Sequence, residues 1–237
     1  EEPKRYKLVI RALFIFLDYI FIPAVILLLI FDPNFKHGYI DHLEAGQYLS
    51  WANGIFNGKV PYKDFFILFG PLQLYSIAAV MSFFGKTLAV LRTYFYCGYM
   101  VSFLLIYILA RFVCRTRIFA CIATFVCILE VSQPFWASRW DFGRMGLGML
   151  ALVFLVLFVK RNNRKVLFIA GVVSALAFFY SFDVGVYVFA SAVVILFTAH
   201  FVSREKRFKL IAANSGIYVI GGLIVAVPFL AFLISHN

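Results

Sequence analysis

An all-α, polytopic membrane bundle is the fold class predicted by three observations. Hydrophobic residues make up 64% of the 237-residue chain against 14% charged, and the mean hydropathy is +0.94. A soluble chain is about half apolar and about a quarter charged. The apolar residues run in stretches near 12–31, 66–84, 90–110, 118–132, 143–159, 166–182, 184–203 and 210–234. Several of these approach the roughly 20 residues that a bilayer-spanning helix needs. Basic residues gather between the stretches, as they do in the loops of membrane proteins. So few charges cannot cover a soluble surface, and the same numbers exclude disorder, a collagen-like fibre and a small disulfide scaffold.

The first run, 12–31, follows Lys4, Arg5, Lys7 and Arg11. No cleavage site precedes it, so it is expected as a retained helix. Three more basic clusters follow: Arg111, Arg115 and Arg117; Lys160, Arg161, Arg164 and Lys165; and Arg204, Lys206, Arg207 and Lys209. Positive loops are retained in the cytoplasm, so all four clusters are expected there. That places a parity condition on the chain. After 12–31 leaves the cytoplasm, an odd number of crossings must return it by residue 111. Two apolar runs lie between, and 66–84 is broken by Gly70-Pro71 and closed by Gly85-Lys86. It is therefore read as interfacial or re-entrant. The remaining runs then alternate to give seven spans with the N-terminus inside. The chain reads as a single transmembrane module over 1–237, with a first outer loop at 32–69 and a second at 133–144.

This topology divides the charges unevenly. The clusters hold 15 of the 22 basic residues, whereas seven of the 11 acids fall outside, as do Trp51, Trp136 and Trp140. Net charge alone (+11) would permit nucleic acid as a partner, but the dispersal of the basic residues between apolar runs argues for none. Chemistry using carboxylates is therefore expected on the outer face.

The first outer loop opens with the turn Asp32-Pro33-Asn34. Beyond it, Tyr48, Trp51, Ala52, Ile55 and Phe56 recur at helical spacing opposite Gln47, Ser50, Asn53 and Asn57. That pattern predicts an amphipathic helix lying along the membrane surface and ended by Gly58. Asp41 and Glu44 stand three apart at its start, either as helix N-terminal acids or as catalytic carboxylates. Lys63 follows, in Pro61-Tyr62-Lys63-Asp64; it is either a phosphate-holding point charge or a snorkelling lysine. In the second outer loop Arg139, Asp141 and Arg144 stand among Phe135, Trp136, Trp140 and Phe142. Two arginines at a membrane boundary can clamp a phosphate, or pair with the aspartate. Asp183 in the turn 180–185 reads as a helix cap. Asp18 and Glu130, inside apolar runs, are assigned only pairing within the bundle. Cys97, Cys114, Cys121 and Cys127 form no CxxC pair, so neither a metal knuckle nor a disulfide framework is implied. No cofactor is required by the pattern. A divalent metal on Asp41, Glu44 and Asp141 is the weak exception.

The order of these segments has a familiar shape. Glu44, Gly46, Gln47 and Tyr48 precede the interfacial helix; Gly58, Pro61, Tyr62 and Asp64 follow it; then come Gly70 and Pro71. The chain thereby resembles the GT-C superfamily of integral-membrane glycosyltransferases, in particular the protein mannosyltransferase and lipid A aminoarabinose transferase branch. Relatives carry an Asp-Glu pair in the first outer loop where this chain has Glu44-Ala45, with Asp41 just before. The base is therefore either Glu44 or Asp41. Family members are usually about twice this length, so the chain looks like the conserved N-terminal module without the C-terminal half. The resemblance implies transfer of a sugar from a polyprenyl-phosphate donor to an acceptor on the outer face, with inversion. Lys63, Asp64, Arg139, Asp141, Arg144 and Tyr48 would line the donor site. It also implies a bacterial inner membrane, and membrane lipid as a partner. The alternative is a non-catalytic membrane protein, a lipid-linked-sugar flippase, transporter or scaffold that retains the module.

Overall fold

Turn residues cut the apolar sequence into ten helices among the described residues. The computed structural model describes residues 2–36, 44–114, 116–131, 142–202 and 208–236. The helices are α1 (Glu2–Phe16), α2 (Ile22–Ile30), α3 (Glu44–Phe56), α4 (Pro71–Phe84), α5 (Leu88–Val113), α6 (Arg117–Val131), α7 (Leu147–Arg161), α8 (Arg164–Tyr180), α9 (Phe182–Val202) and α10 (Phe208–His236). Wide π-helical turns join α1 to α2 at Leu17–Phe21 and precede α7 at Phe142–Gly146. The first has a local cause: Pro23 has no N–H to continue the ladder. The amide of Ile22 accordingly reaches back five residues to Leu17.

The caps follow side-chain chemistry. Thr87 opens α5 by accepting the Val90 N–H at 3.3 Å. A two-residue turn joins α7 to α8. Asn162 takes the left-handed conformation (φ 49°) that ends α7, and Asn163 accepts the Lys165 N–H at 2.9 Å to begin α8.

Among the described residues, four helical runs are long and apolar enough to cross a membrane: Val9–Ile30, Leu88–Val113, Gly143–Arg161 and Ile211–His236. Seven were expected. Of the other candidates, α6 has 15 described residues and α8 has 17, while α9 has 21, of which the fully described apolar stretch is Phe182–Thr198. At about 1.5 Å per residue, the described lengths of α6 and α8 fall short of a hydrocarbon core about 30 Å thick.

Side-chain contacts give the two ends of the bundle. Asp18, in the wide turn between α1 and α2, meets Arg111 at the C-terminal end of α5, while the Tyr96 hydroxyl near the start of α5 donates to Ile30 O at 2.9 Å. The first helical run and α5 are therefore antiparallel. At the same end as Arg111, Lys160 at the close of α7 donates to Phe112 O. Basic residues from two of the four clusters thus share one end. The side chains of residues 2–8 and the residues 203–207 lie outside the described set. Helices α8 and α10 run parallel and approach closely. A Cβ on Gly171 would stand 2.1 Å from Tyr218 O, and one on Gly221 would stand 2.3 Å from Phe168 O. Small residues permit this separation, as they do between helices in lipid.

Helix α4 stays at the opposite end. Ser76 meets Tyr94, Tyr75 meets Phe232, and Gly70 just before the helix meets Tyr180. Those partners lie near the start of α5 and the ends of α10 and α8. With 14 residues, α4 is about 21 Å long.

Candidate functional site

The end opposite the basic clusters gathers polar groups from distant parts of the chain. Its floor is α3. The expected amphipathic pattern is present: Tyr48 and Ala52 are buried, whereas Ser50, Asn53 and Asn57 are exposed. The buried face is covered by protein. Tyr48 packs on Phe95 of α5 at 4.9 Å and on Phe69 at 6.1 Å between ring centroids. Gly58 ends the helix with φ +76°, a conformation that costs a glycine little.

The loop from Gly58 to Gly70 is held by its own side chains. Asp64 accepts the Val60 N–H at 2.7 Å, closing a turn. The Tyr62 hydroxyl donates to Phe69 O at 2.7 Å. Partial burial pushes the Tyr62 pKa up to about 12, so that donor persists at any ordinary pH. Lys63 donates to the backbone carbonyl of His236 at 2.8 Å, at the end of α10. A lysine on a helix C-terminal carbonyl also complements the helix dipole. At Gly70 the loop meets α8: its N–H donates to Tyr180 O at 3.1 Å, and a Cβ there would stand 1.9 Å from Phe179 O. Only glycine fits so close to that carbonyl.

Arg144, at the wide turn before α7, pairs with Asp183 in the first turn of α9 at 2.9 Å. Its guanidinium lies 4.8 Å from the centroid of the Phe69 ring. Asp183 also accepts from the Ser181 hydroxyl; α9 begins at Phe182, so Asp183 lies within its first turn rather than capping it from outside as expected. Gly143 allows the Tyr180 ring to pass: a Cβ would stand 1.9 Å from its Cζ.

A partly buried chain of hydroxyls connects these parts. Gln73 Nε2 reaches the Tyr48 hydroxyl at 3.5 Å, and the Ser76 hydroxyl donates to Gln73 O at 2.7 Å. Having given that proton, Ser76 accepts from Tyr94 at 2.8 Å. Tyr94 in turn accepts from Tyr180 at 2.8 Å.

Of the expected site residues, the structure brings Tyr48, Lys63, Asp64 and Arg144 to this one end. Lys63, Asp64 and Arg144 each have a partner within the protein. Glu44 begins α3, but its side chain lies outside the described residues, as do Asp41, Arg139 and Asp141. The metal arrangement of Asp41, Glu44 and Asp141 lies outside them too. Among the described residues, no three His, Cys, Asp or Glu side chains stand together as metal ligands. Reading the sequence passed over Gln73, Ser76, Tyr94 and Tyr180. Gln73 alone signals itself, as a lone amide in an apolar run. The tyrosines resemble ordinary interfacial aromatics, and their pairing across 86 residues is not a local pattern. Comparison with family models, with curated proteins and with solved structures found no match to this chain.

Proposed function

We propose that the chain is a membrane glycosyltransferase of the GT-C kind, transferring a sugar from a polyprenyl-phosphate donor to an acceptor at the membrane surface. In this reading α6, α8 and α9 complete seven spans and α4 lies at the interface. One observation carries the reading. Polar and charged groups from four separate segments (Tyr48, Lys63, Arg144 and Asp183) converge at the end of an apolar bundle that is opposite its basic loops. A lipid-linked donor suits such a place, because the isoprenoid stays in lipid while the phosphate and sugar lie at the surface.

Glu44 or Asp41 is the proposed general base on the acceptor hydroxyl. Inversion at the anomeric carbon needs one base and an open face for the acceptor. Arg144, Arg139 and Lys63 are the proposed partners of the departing lipid phosphate, with Asp141 orienting an arginine or the acceptor. Such a role requires phosphate to replace Asp183 at Arg144 and the His236 carbonyl at Lys63.

Those internal partners also favour the second reading, a non-catalytic lipid-linked-sugar flippase, transporter or scaffold. There the same contacts only hold loops to helices. Purified protein offered polyprenyl-phosphate sugars separates the two. Transfer or donor hydrolysis by wild type, lost in Glu44→Gln or Asp41→Asn at unchanged membrane levels, supports the enzyme. Donor binding without turnover supports the second reading, and absence of binding overturns the first.

A further inference from the structure

The basic end contains a built cluster to which no role has yet been given. Asp18 lies in the wide turn Leu17–Phe21 and meets two arginines. Arg117 Nε donates to Asp18 Oδ1 at 2.8 Å, and Arg111 donates to both carboxylate oxygens at 3.2–3.3 Å. The Tyr107 hydroxyl donates to Oδ1 at 3.3 Å. Arg111 is in the last turn of α5 and Arg117 opens α6, so the cluster sits where that hairpin turns, at the edge of the apolar span. Lys160 adds a third cation at the neighbouring carbonyl of Phe112. One carboxylate is thus paired with two arginines, and a third cation stands at an adjacent backbone carbonyl.

Arg117 gives Asp18 only its Nε–H. Among the described residues no acceptor takes its Nη fork, and the side chain is a third exposed. Its guanidinium lies 4.1 Å from the centroid of the Phe14 ring, which holds the plane in place. Val9, Leu13 and Phe16 on α1 are exposed apolar side chains. A fixed guanidinium fork with excess positive charge, beside an apolar wall at the level of lipid headgroups, matches a phosphodiester attached to acyl chains.

We propose that Arg117, with Arg111 and Lys160, binds the headgroup phosphate of an anionic phospholipid in the leaflet at the basic end. Asp18 holds the two guanidiniums in place and leaves the Arg117 fork for the lipid.

The test uses the full chain in detergent, titrated with phosphatidylglycerol, with phosphatidylcholine and with inorganic phosphate, reading bound lipid by native mass spectrometry and the melting temperature. Phosphatidylglycerol should bind wild type and raise its melting temperature, while the other two should not. Arg117→Gln should weaken phosphatidylglycerol binding about fivefold, given about 1 kcal/mol per basic group near a lipid surface. Lys86→Gln, at the opposite end, should leave it unchanged. Asp18→Asn adds a readout that does not depend on the behaviour of Arg117→Gln. It should melt lower than wild type in phosphatidylcholine and recover in phosphatidylglycerol, because the lipid phosphate replaces the lost carboxylate. Equal binding of phosphatidylcholine, full binding by Arg117→Gln, an equal effect of inorganic phosphate, or no recovery of Asp18→Asn would each overturn the proposal.

Discussion

Arg144 and Asp183 form an ion pair whose members differ in environment: the arginine side chain is 19% exposed and the aspartate 48%. Solvent screens the aspartate side, so the pair contributes about 1 kcal/mol or less to stability. Arg144→Gln and Asp183→Asn should each lower the melting temperature by 2–4 °C or so, and the double variant should lose little more than one single. Losses that simply add would show that the two side chains do not interact. Gly70 is a sharper constraint, because its neighbour is a backbone carbonyl that cannot rotate away. Gly70→Ala should destabilise by about 2–3 kcal/mol. Gly46→Ala, in α3 where a Cβ meets nothing within 4 Å, should be neutral or stabilising by about 0.5–1 kcal/mol. Thermal melts of both variants check the contrast. An unaffected Gly70→Ala would mean that the loop does not touch α8.

Helix α3 behaves as its amphipathic pattern requires, but its apolar side is turned onto Phe95 and Phe69. Ala52 is completely buried there and its neighbour Asn53 is exposed. Ala52→Leu should therefore overpack the contact at a cost of about 1–3 kcal/mol and loosen α3, whereas Asn53→Leu should not. Limited trypsin digestion reads this at Lys59, just beyond the helix; faster cleavage is expected in the first variant alone. The periodicity identified the helix and its buried side correctly. What covers that side was not legible, because a face suited to lipid and a face suited to protein have the same composition.

At the scale of the molecule, the described contacts place Arg111, Arg117 and Lys160 toward one end and the Tyr48–Arg144 cluster at the other. Single cysteines at Asn162 and Asn57, with Cys97, Cys114, Cys121 and Cys127 replaced by serine, should react with an impermeant maleimide from opposite sides of oriented vesicles. Reaction from one side alone would collapse this arrangement. The helical class, the apolar runs and the basic clusters were determined by the sequence itself, because hydropathy and charge act on each segment through the solvent it meets. The chain also signalled the breaks at Gly58 and Gly70-Pro71, since caps and turns are set by neighbouring residues. Tertiary structure alone decided that Asp183 would meet Arg144, that Asp18 would draw in Arg111 and Arg117, and that Tyr94 and Tyr180 would join a hydrogen-bond chain with Ser76. These pairings join residues far apart in the chain. They arise from which helices pack together, and that depends on interlocking shape and on glycines such as Gly171 and Gly221, which no local pattern records.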